Sequence, residues 1–348
     1  MKFAGSSILS IEQFDLEAID TVFRVADLLE PVAKRRKVTR VLEGAVLGNL
    51  FFEASTRTRL SFTSAFERLG GSVCDTTGFT FSSISKGESL YDTSRVISGY
   101  VDVLVLRHPE EGSVKEFSAA TNIPVINAGD GIGEHPTQAL LDLYTINAEF
   151  KRLSKNINGS SILIFGDLKN GRTVHSLVRI LALYQGIRFV FVSPKGLSLP
   201  HKLLDLISSR GHRFEIHHSF GAHIKDIDVI YATRIQRERM LEGEVTEGYS
   251  EDFRVSARVV NSLFTKDTVI LHPLPRDSRE GAFDLSDDLN SDERLAVFRQ
   301  TDNGVQIRMA LFALVLGVEK QIESSLRDAN WFRPAFIGKQ DAPFTRLK

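Results

Sequence analysis

Apolar residues recur at two periods along the 348-residue chain. From about Phe14 to Val32 they return every three or four positions, the spacing of one helix face. The run "AVLGNLFF", ending at Phe52, is instead continuous and predicts a buried strand over 45 to 52. Further strands are expected near 72 to 76, 102 to 107 and 123 to 127, with helices near 56 to 69, 89 to 100 and 137 to 149. The polar segment "KRLSKNINGS", from Lys151 to Ser160, reads as a linker. Beyond it "SILIFG", "IRFVFVS", "RFEIH", "DVIYAT" and "TVILHP" supply five more strands, with a helix over 171 to 185 among them. Strands alternating with helices predict βαβ units and parallel sheets. The expected fold is therefore α/β, with two doubly wound domains each built on a central parallel sheet. Residues 1–149 with 300–348 form one domain and 150–299 the other. The last strong helix, about Gly304 to Lys320, is expected to return to the first domain, and the tail after Lys320 shows no period.

Composition narrows the function classes. The length exceeds that of an ordinary single domain, which agrees with two. A formal net charge of -1 argues against an obligate nucleic-acid partner, so anion binding would need local clusters of arginine. The single cysteine, Cys74, excludes an internal disulfide and a multi-cysteine zinc site. The first residues lack the apolar core of a signal peptide, and the longest apolar run, "ALFALVLGV", is too short to span a bilayer. A cytoplasmic protein with no membrane partner is expected. "KRRK", Lys34 to Lys37, reads better as a solvated helix end than as a nuclear address. The sequon Asn158-Gly159-Ser160 would go unused there.

The polar residues fall where open parallel sheets bind ligands, beyond the carboxyl ends of strands. "FFEASTRTRLSF" places Ser55 near a helix N-cap and Thr56, Arg57, Thr58 and Arg59 in the opening turn. Cations at that end oppose the helix dipole, whereas a bound anion would reverse the sign by drawing N–H groups, hydroxyls and guanidinium forks together. Solvated arginines beside a simple cap remain the alternative. "RHP" at Arg107, "GDGIGEHPTQ", "GDLKNGR", "TRIQRER" and "HPLPR" each follow another strand. Pro136 suits the first helical position, and His135 and Gln138, three residues apart, can face one ligand. A neutral imidazole and an amide together match a carbonyl oxygen and an NH2 group, although His135 could equally cap the helix. Arg172 opens a helix whose apolar face is Val174, Leu177, Val178 and Leu181. "GDLKNG" lacks the third glycine of a dinucleotide fingerprint. Arg234, Arg237 and Arg239 could be a charged helix face. "SSISKGES", Ser82 to Ser89, suits a phosphate-reaching loop or a plain one. His217, His218 and His223 have no carboxylate partners at metal spacing, and no nucleophile elbow occurs.

With "STRTR", "RHP", "HPTQALLDLYTI", "DLKNGRTVHSL", "TRIQRER" and "HPLPR" in this order, about residues 5 to 320 resemble the aspartate transcarbamoylase family, which begins pyrimidine synthesis. The resemblance implies that Ser55, Thr56, Arg57 and Thr58 hold the phosphate of carbamoyl phosphate. It places Arg107, His135 and Thr58 on the carbonyl oxygen and Gln138 on the carbamoyl amide. Arg172 and Arg234 would grip the carboxylates of L-aspartate, helped by Gln236, and the backbone carbonyls of Leu274 and Pro275 would accept from nitrogen across a cis Leu274-Pro275 bond. Ser82 and Lys86 match a loop that enters a neighbouring subunit's site, which implies a homotrimer with shared active sites. Neither a cofactor nor a metal is implied. Higher assembly with regulatory chains or a dihydroorotase stays open.

The chain also departs from the family pattern. Asn170 stands where an aromatic residue is frequent, "RDSREGAF" is unusual after "HPLP", and the stretch from Asp277 to Asp302 is long and acidic. Two rival functions share part of the motif set. Ornithine transcarbamoylases typically carry cysteine where this chain has Thr137 and Leu274, and a "SMG" loop absent here. A catalytically silent, anion-binding partner subunit should have lost Arg57, His135, Lys86 or Arg234, and all four are present.

Overall fold

The computed structural model describes residues 1–77, 87–221, 224–234, 254–277 and 284–331. Of these, Met1–Leu140 and residues 302–331 belong to one compact unit and Leu141–Thr301 to a second. The first unit opens with α1 (Leu16–Ala33), where Asp15 caps the helix by accepting from Ala18 N–H at 2.8 Å and Ile19, Val22, Phe23, Ala26 and Leu29 face inward. There follow β1 (Lys37–Val38), β2 (Val46–Phe51), α2 (Thr56–Arg68), β3 (Ser72–Thr77), α3 (Leu90–Ile97), β4 (Val103–His108), α4 (Ser113–Ala119), β5 (Val125–Asp130) and α5 (Pro136–Leu153). Strands β2 to β5 make a parallel sheet of order β3-β2-β4-β5. β4 and β5 are buried along their whole length, as strands covered on both faces must be. Beneath them Leu50, Leu104, Leu106, Val114, Phe117 and Val125 form one core.

The second unit continues with β6 (Ser161–Phe165), α6 (Arg172–Leu181), β7 (Arg188–Val192), α7 (His201–Ser209), β8 (Arg213–His217), β9 (Val229–Ala232), α8 (Ala257–Leu263) and β10 (Val269–Leu271). Its parallel sheet has the order β10-β9-β6-β7-β8. Leu163, Phe165, Val190, Ile230, Ile270 and Leu295 belong to its core. Each sheet therefore has one place where consecutive strands depart in opposite directions, between β2 and β4 in the first and between β6 and β9 in the second. Such switch points open a crevice at the carboxyl ends.

Two expectations are corrected. The polar segment after Lys151 begins as helix, because α5 runs on to Leu153 and buries Phe150. The last long helix, α9 (Val297–Val315), starts seven residues before Gly304, which lies buried inside it. Tertiary packing outweighs the cost of about 1 kcal/mol for a helical glycine. α9 stops before Lys320 because Gly317, at φ 68°, turns the chain left-handed while Val318 N–H returns to the Ala313 carbonyl at 2.9 Å. The segment after it is also structured: α10 (Ile322–Ser325) leads to β11 (Arg327–Asp328), which pairs antiparallel with β1.

From Asp302 the chain belongs to the first unit, as expected of a returning helix. Phe312 packs edge-on against Phe62 and Phe66 with centroids 5.9 and 4.9 Å away, and Arg308 lies 4.7 Å from the centre of the Phe62 ring while donating to Ser61 Oγ. Gln306 donates to the Ala26 carbonyl of α1. In the second unit the Arg299 guanidinium holds the buried Glu149 carboxylate at 2.5 and 3.1 Å.

Candidate active site

At the first switch point, β2 ends at Phe51 and the chain turns into α2 through Glu53 and Ser55. Ser55 is the N-cap in extended backbone, yet its side chain makes no capping bond. The hydroxyl, the opening N–H groups of α2 and the exposed Arg57 thus lie at the positive end of a 13-residue helix. Thr56 is exposed and Thr58 half-buried in the same turn.

Arg107 sits on the adjoining strand, in register with Phe51, and its carbonyl accepts from Phe52 N–H at 2.9 Å. Its guanidinium is nearly buried, with Nη2 at 2.8 Å from Glu53 Oε2 and Nη1 donating to the Ala128 carbonyl at 3.3 Å. Glu53 was not singled out from sequence. Its sequence signal is only a carboxylate two residues before the N-cap. His108, next to Arg107, plays a different part, since its Nδ1 accepts from Glu110 N–H at 3.1 Å and its ring packs against Phe52. Burial lowers its pKa against the opposing pull of Glu110 and Asp130, so the ring is a neutral brace for the loop.

The loop after β5 is fastened to this strand end. Gly131 N–H donates to the His108 carbonyl at 2.9 Å, while Asp130 accepts from Gly112 N–H and Glu134 N–H. Glu134 also anchors the N-terminal segment by accepting from Ser10 Oγ and Ile11 N–H. This places His135 at the start of α5, where its carbonyl receives Gln138 and Ala139 N–H. His135 is buried, as is Gln138 one turn on, and the His135 ring nitrogen Nδ1 is 3.5 Å from the Thr137 hydroxyl. Ser55, Thr56, Arg57, Thr58, Arg107, His135 and Gln138 thus come from the carboxyl ends of three neighbouring strands.

In the second unit Arg172 is the first residue of α6, buried and close to the β6 end. Its loop is tightly built. Asn170 donates through N–H and Nδ2 to the buried Asp167 carboxylate at 2.9 and 3.2 Å. His175 Nε2 is 2.9 Å from the Leu168 carbonyl, and burial lowers the His175 pKa, so a neutral ring donates there. Arg234 follows β9 after Thr233 and is half-buried. Gly166 lets the two strand ends approach: at φ 116°, a Cβ there would lie 2.1 Å from the Thr233 carbonyl oxygen. After β10, the Leu274-Pro275 bond is cis, and Leu274 has φ 59°. The arrangement places guanidinium-bearing residues after two adjacent strands and the cis Leu274-Pro275 turn after a third, which suits a small dicarboxylate bearing an amine. Ser82, Lys86 and Gln236 lie outside the described residues. Among the described residues no group of three or more metal-ligating side chains occurs, and no helix is long and apolar enough to cross a membrane.

Two family models match the chain. One, described as aspartate/ornithine carbamoyltransferase, carbamoyl-P binding domain, covers residues 6–148, and the other, the Asp/Orn binding domain, covers residues 158–315. The aspartate carbamoyltransferase catalytic subunit of Dichelobacter nodosus is 58% identical over 348 residues, covering 100% of both chains. That of Saccharophagus degradans is 53% identical over 332 residues, covering 95% of this chain and 98% of its own. A crystal structure of Trypanosoma cruzi aspartate transcarbamoylase in complex with carbamoyl phosphate and aspartate superposes with a TM-score of 0.83 at 36% identity, covering 90% of this chain and 98% of that one. Matched in both halves by the family models and end to end by such relatives, the chain belongs to the aspartate/ornithine carbamoyltransferase family, on its aspartate carbamoyltransferase branch.

Proposed function

We propose that the protein transfers the carbamoyl group of carbamoyl phosphate to the amine of L-aspartate, giving N-carbamoyl-L-aspartate and phosphate. The observation that carries this reading is the division of cationic groups. Arg57 and Arg107 flank the switch point of one sheet, and Arg172 and Arg234 flank that of the other. On this reading the first unit takes carbamoyl phosphate and the second takes aspartate. Ser55, Thr56, Arg57 and Thr58 hold the phosphate. Arg107, His135 and Thr58 donate to the carbamoyl oxygen, and Gln138 recognises the amide. Arg172, Arg234 and Gln236 bind the two carboxylates, and the carbonyls of Leu274 and Pro275 accept from the amine.

The chemistry asks for positioning and charge stabilisation. The amine lone pair attacks the carbamoyl carbon, negative charge gathers on the carbamoyl oxygen, and the tetrahedral intermediate then expels phosphate. Arg107 and His135 meet that oxygen as its charge develops. The leaving phosphate dianion takes the amine proton, so no dedicated base is needed. Both reactants are anionic, and the arginines that bind each of them offset that charge. Ser82 and Lys86 are assigned to a neighbouring subunit's site within a cytoplasmic homotrimer that serves pyrimidine synthesis. An assay of carbamoyl transfer with aspartate and ornithine side by side tests the proposal: product from aspartate alone is expected. Transfer to ornithine, or to neither amine, would refute it.

A further inference from the structure

One polar chain in the second unit is buried from end to end. His272, the first residue after β10, donates its N–H to Gln300 Oε1 at 2.9 Å; Gln300 Nε2 donates to Asp142 Oδ1 at 2.6 Å; and Asp142 Oδ2 accepts from the Tyr231 hydroxyl at 2.7 Å. All four residues are almost wholly buried. Burial, reinforced by the Asp142 charge, raises the Tyr231 pKa well above its ordinary value, so that hydroxyl is a permanent donor. The backbone of His272 is therefore bonded to the α9 side chain of Gln300 and, through it, tied to Asp142 of α5 and Tyr231 of β9.

The ring of His272 faces the other way along the loop. Its Nδ1 accepts from Leu274 N–H at 2.8 Å, so that nitrogen carries no proton. The proton is then on Nε2, which lies in close contact with the Asp284 carboxylate, 2.8 Å from Oδ1, without completing a hydrogen bond. Asp284 is held in turn by Asp277 N–H at 2.9 Å and by Leu285 N–H. Leu274 has φ 59°, a left-handed conformation that an ordinary side chain seldom adopts. The bond from its N–H to the imidazole is what holds that conformation two residues away. The Leu274 N–H shares its peptide plane with the Pro273 carbonyl, and the Leu274 φ sets the angle between that plane and the next, which carries the Leu274 carbonyl and leads to Pro275.

We infer that His272 is a positioning residue: held by Asp284, its ring keeps the Leu274 N–H turned inward and so aims the Leu274 and Pro275 carbonyls at the substrate amine. This rests on the carbamoyl transfer proposed above and assigns a part of it that contacts no substrate. Asp284 is the anchor, comparable to a carboxylate that fixes the tautomer of a metal-bound or catalytic imidazole, but here the second nitrogen serves a backbone amide.

Two substitutions separate the two ring nitrogens. His272→Asn sets its Oδ1 near the place of Nδ1 and keeps an acceptor for Leu274 N–H. His272→Gln reaches the place of Nε2 and loses that acceptor. Steady-state carbamoyl transfer should show the aspartate KM raised about tenfold or more in His272→Gln, the loss expected of one buried hydrogen bond. It should stay within about threefold in His272→Asn, and carbamoyl phosphate should bind both variants, by calorimetry, as it binds the parent. A general loss of structure would weaken both substrates in both variants. If His272→Gln does not fold, Asp284→Asn replaces it: its amide must oppose either the His272 ring or Asp277 N–H, and the aspartate KM should rise likewise. Nitrogen-15 NMR of labelled histidine in the parent enzyme should find the His272 ring, identified by its loss in His272→Asn, bare at Nδ1 and protonated at Nε2. A proton on Nδ1, or an aspartate KM equal in both His272 variants, overturns the inference while leaving the carbamoyl transfer standing. A parent enzyme that does not carbamoylate aspartate overturns both.

Discussion

Glu53→Gln tests how Arg107 is made ready for a developing oxyanion. The guanidinium is gripped from two sides, by Glu53 Oε2 at 2.8 Å and by the Ala128 carbonyl at 3.3 Å, and the glutamate side chain is 27% exposed. A hydrogen bond between charged groups nets roughly 1.5–3 kcal/mol, about twice a neutral one. The amide keeps the acceptor and the shape but removes the charge, so about half of that, ~0.75–1.5 kcal/mol, is lost from the orientation of Arg107. If that orientation matters fully in the transition state, kcat falls about 3–12-fold at saturating substrates, since ~1.4 kcal/mol is a factor of ten. Arg107→Lys should be far worse, about 10²–10³-fold, because an ammonium cannot fork between Glu53, Ala128 and the substrate oxygen. The assay is the initial rate of carbamoyl-aspartate formation, with carbamoyl phosphate affinity measured separately by calorimetry. An unchanged kcat in Glu53→Gln would refute the idea that the ion pair prepares the guanidinium. An Arg107→Lys variant no worse than Glu53→Gln would refute the assignment of Arg107 to the oxyanion.

Arg234→Ala should weaken aspartate affinity and turnover by about 10²-fold or more through lost charge-assisted contacts while carbamoyl phosphate still binds; calorimetry showing equal loss of both substrates would count against separate substrate units. Lys86→Ala and Arg57→Ala should each be nearly inactive alone. Dissociated, mixed and reassembled, they should recover about a quarter of wild-type activity, because random mixing makes about three quarters of closed trimers hybrid with one intact site in three. Hybrids confirmed by native mass spectrometry yet inactive would mean that each chain builds its own site. For pH, burial lowers the pKa of His108 and His175 in the folded state, so the unfolded chain takes up protons first as pH falls below about 6.5. The stability these rings supply is fully present above that pH and is lost progressively down to their folded-state pKa values. Urea titrations at pH 7.5 and 5.5 should show a lower midpoint at the acid value, with His175→Gln reducing the difference.

The sequence by itself determined the class of fold, the positions of the strands and the places where chemistry gathers. These are local quantities. Strands covered on both faces read as unbroken apolar runs, and Arg57 and Arg172 in first helical turns are visible because a cation there works against the dipole unless an anion answers it. The family motifs then assigned roles. What only the tertiary structure decided involves partners distant in sequence. The strand orders place "STRTR" beside "RHP" and "GDLKNGR" beside Thr233 and Arg234. Glu53 is paired with Arg107, and β1 with β11, with Lys37 and Asp328 291 positions apart. Where α5 and α9 begin and end was settled by burial of Phe150 and of the face around Gly304, against the local signals of a polar segment and a glycine. The imidazole of His272 was legible only as part of "HPLPR". Its tautomer and its hold on Leu274 follow from Asp284, twelve residues away, because a ring nitrogen's role is set by what the other nitrogen meets in the folded chain.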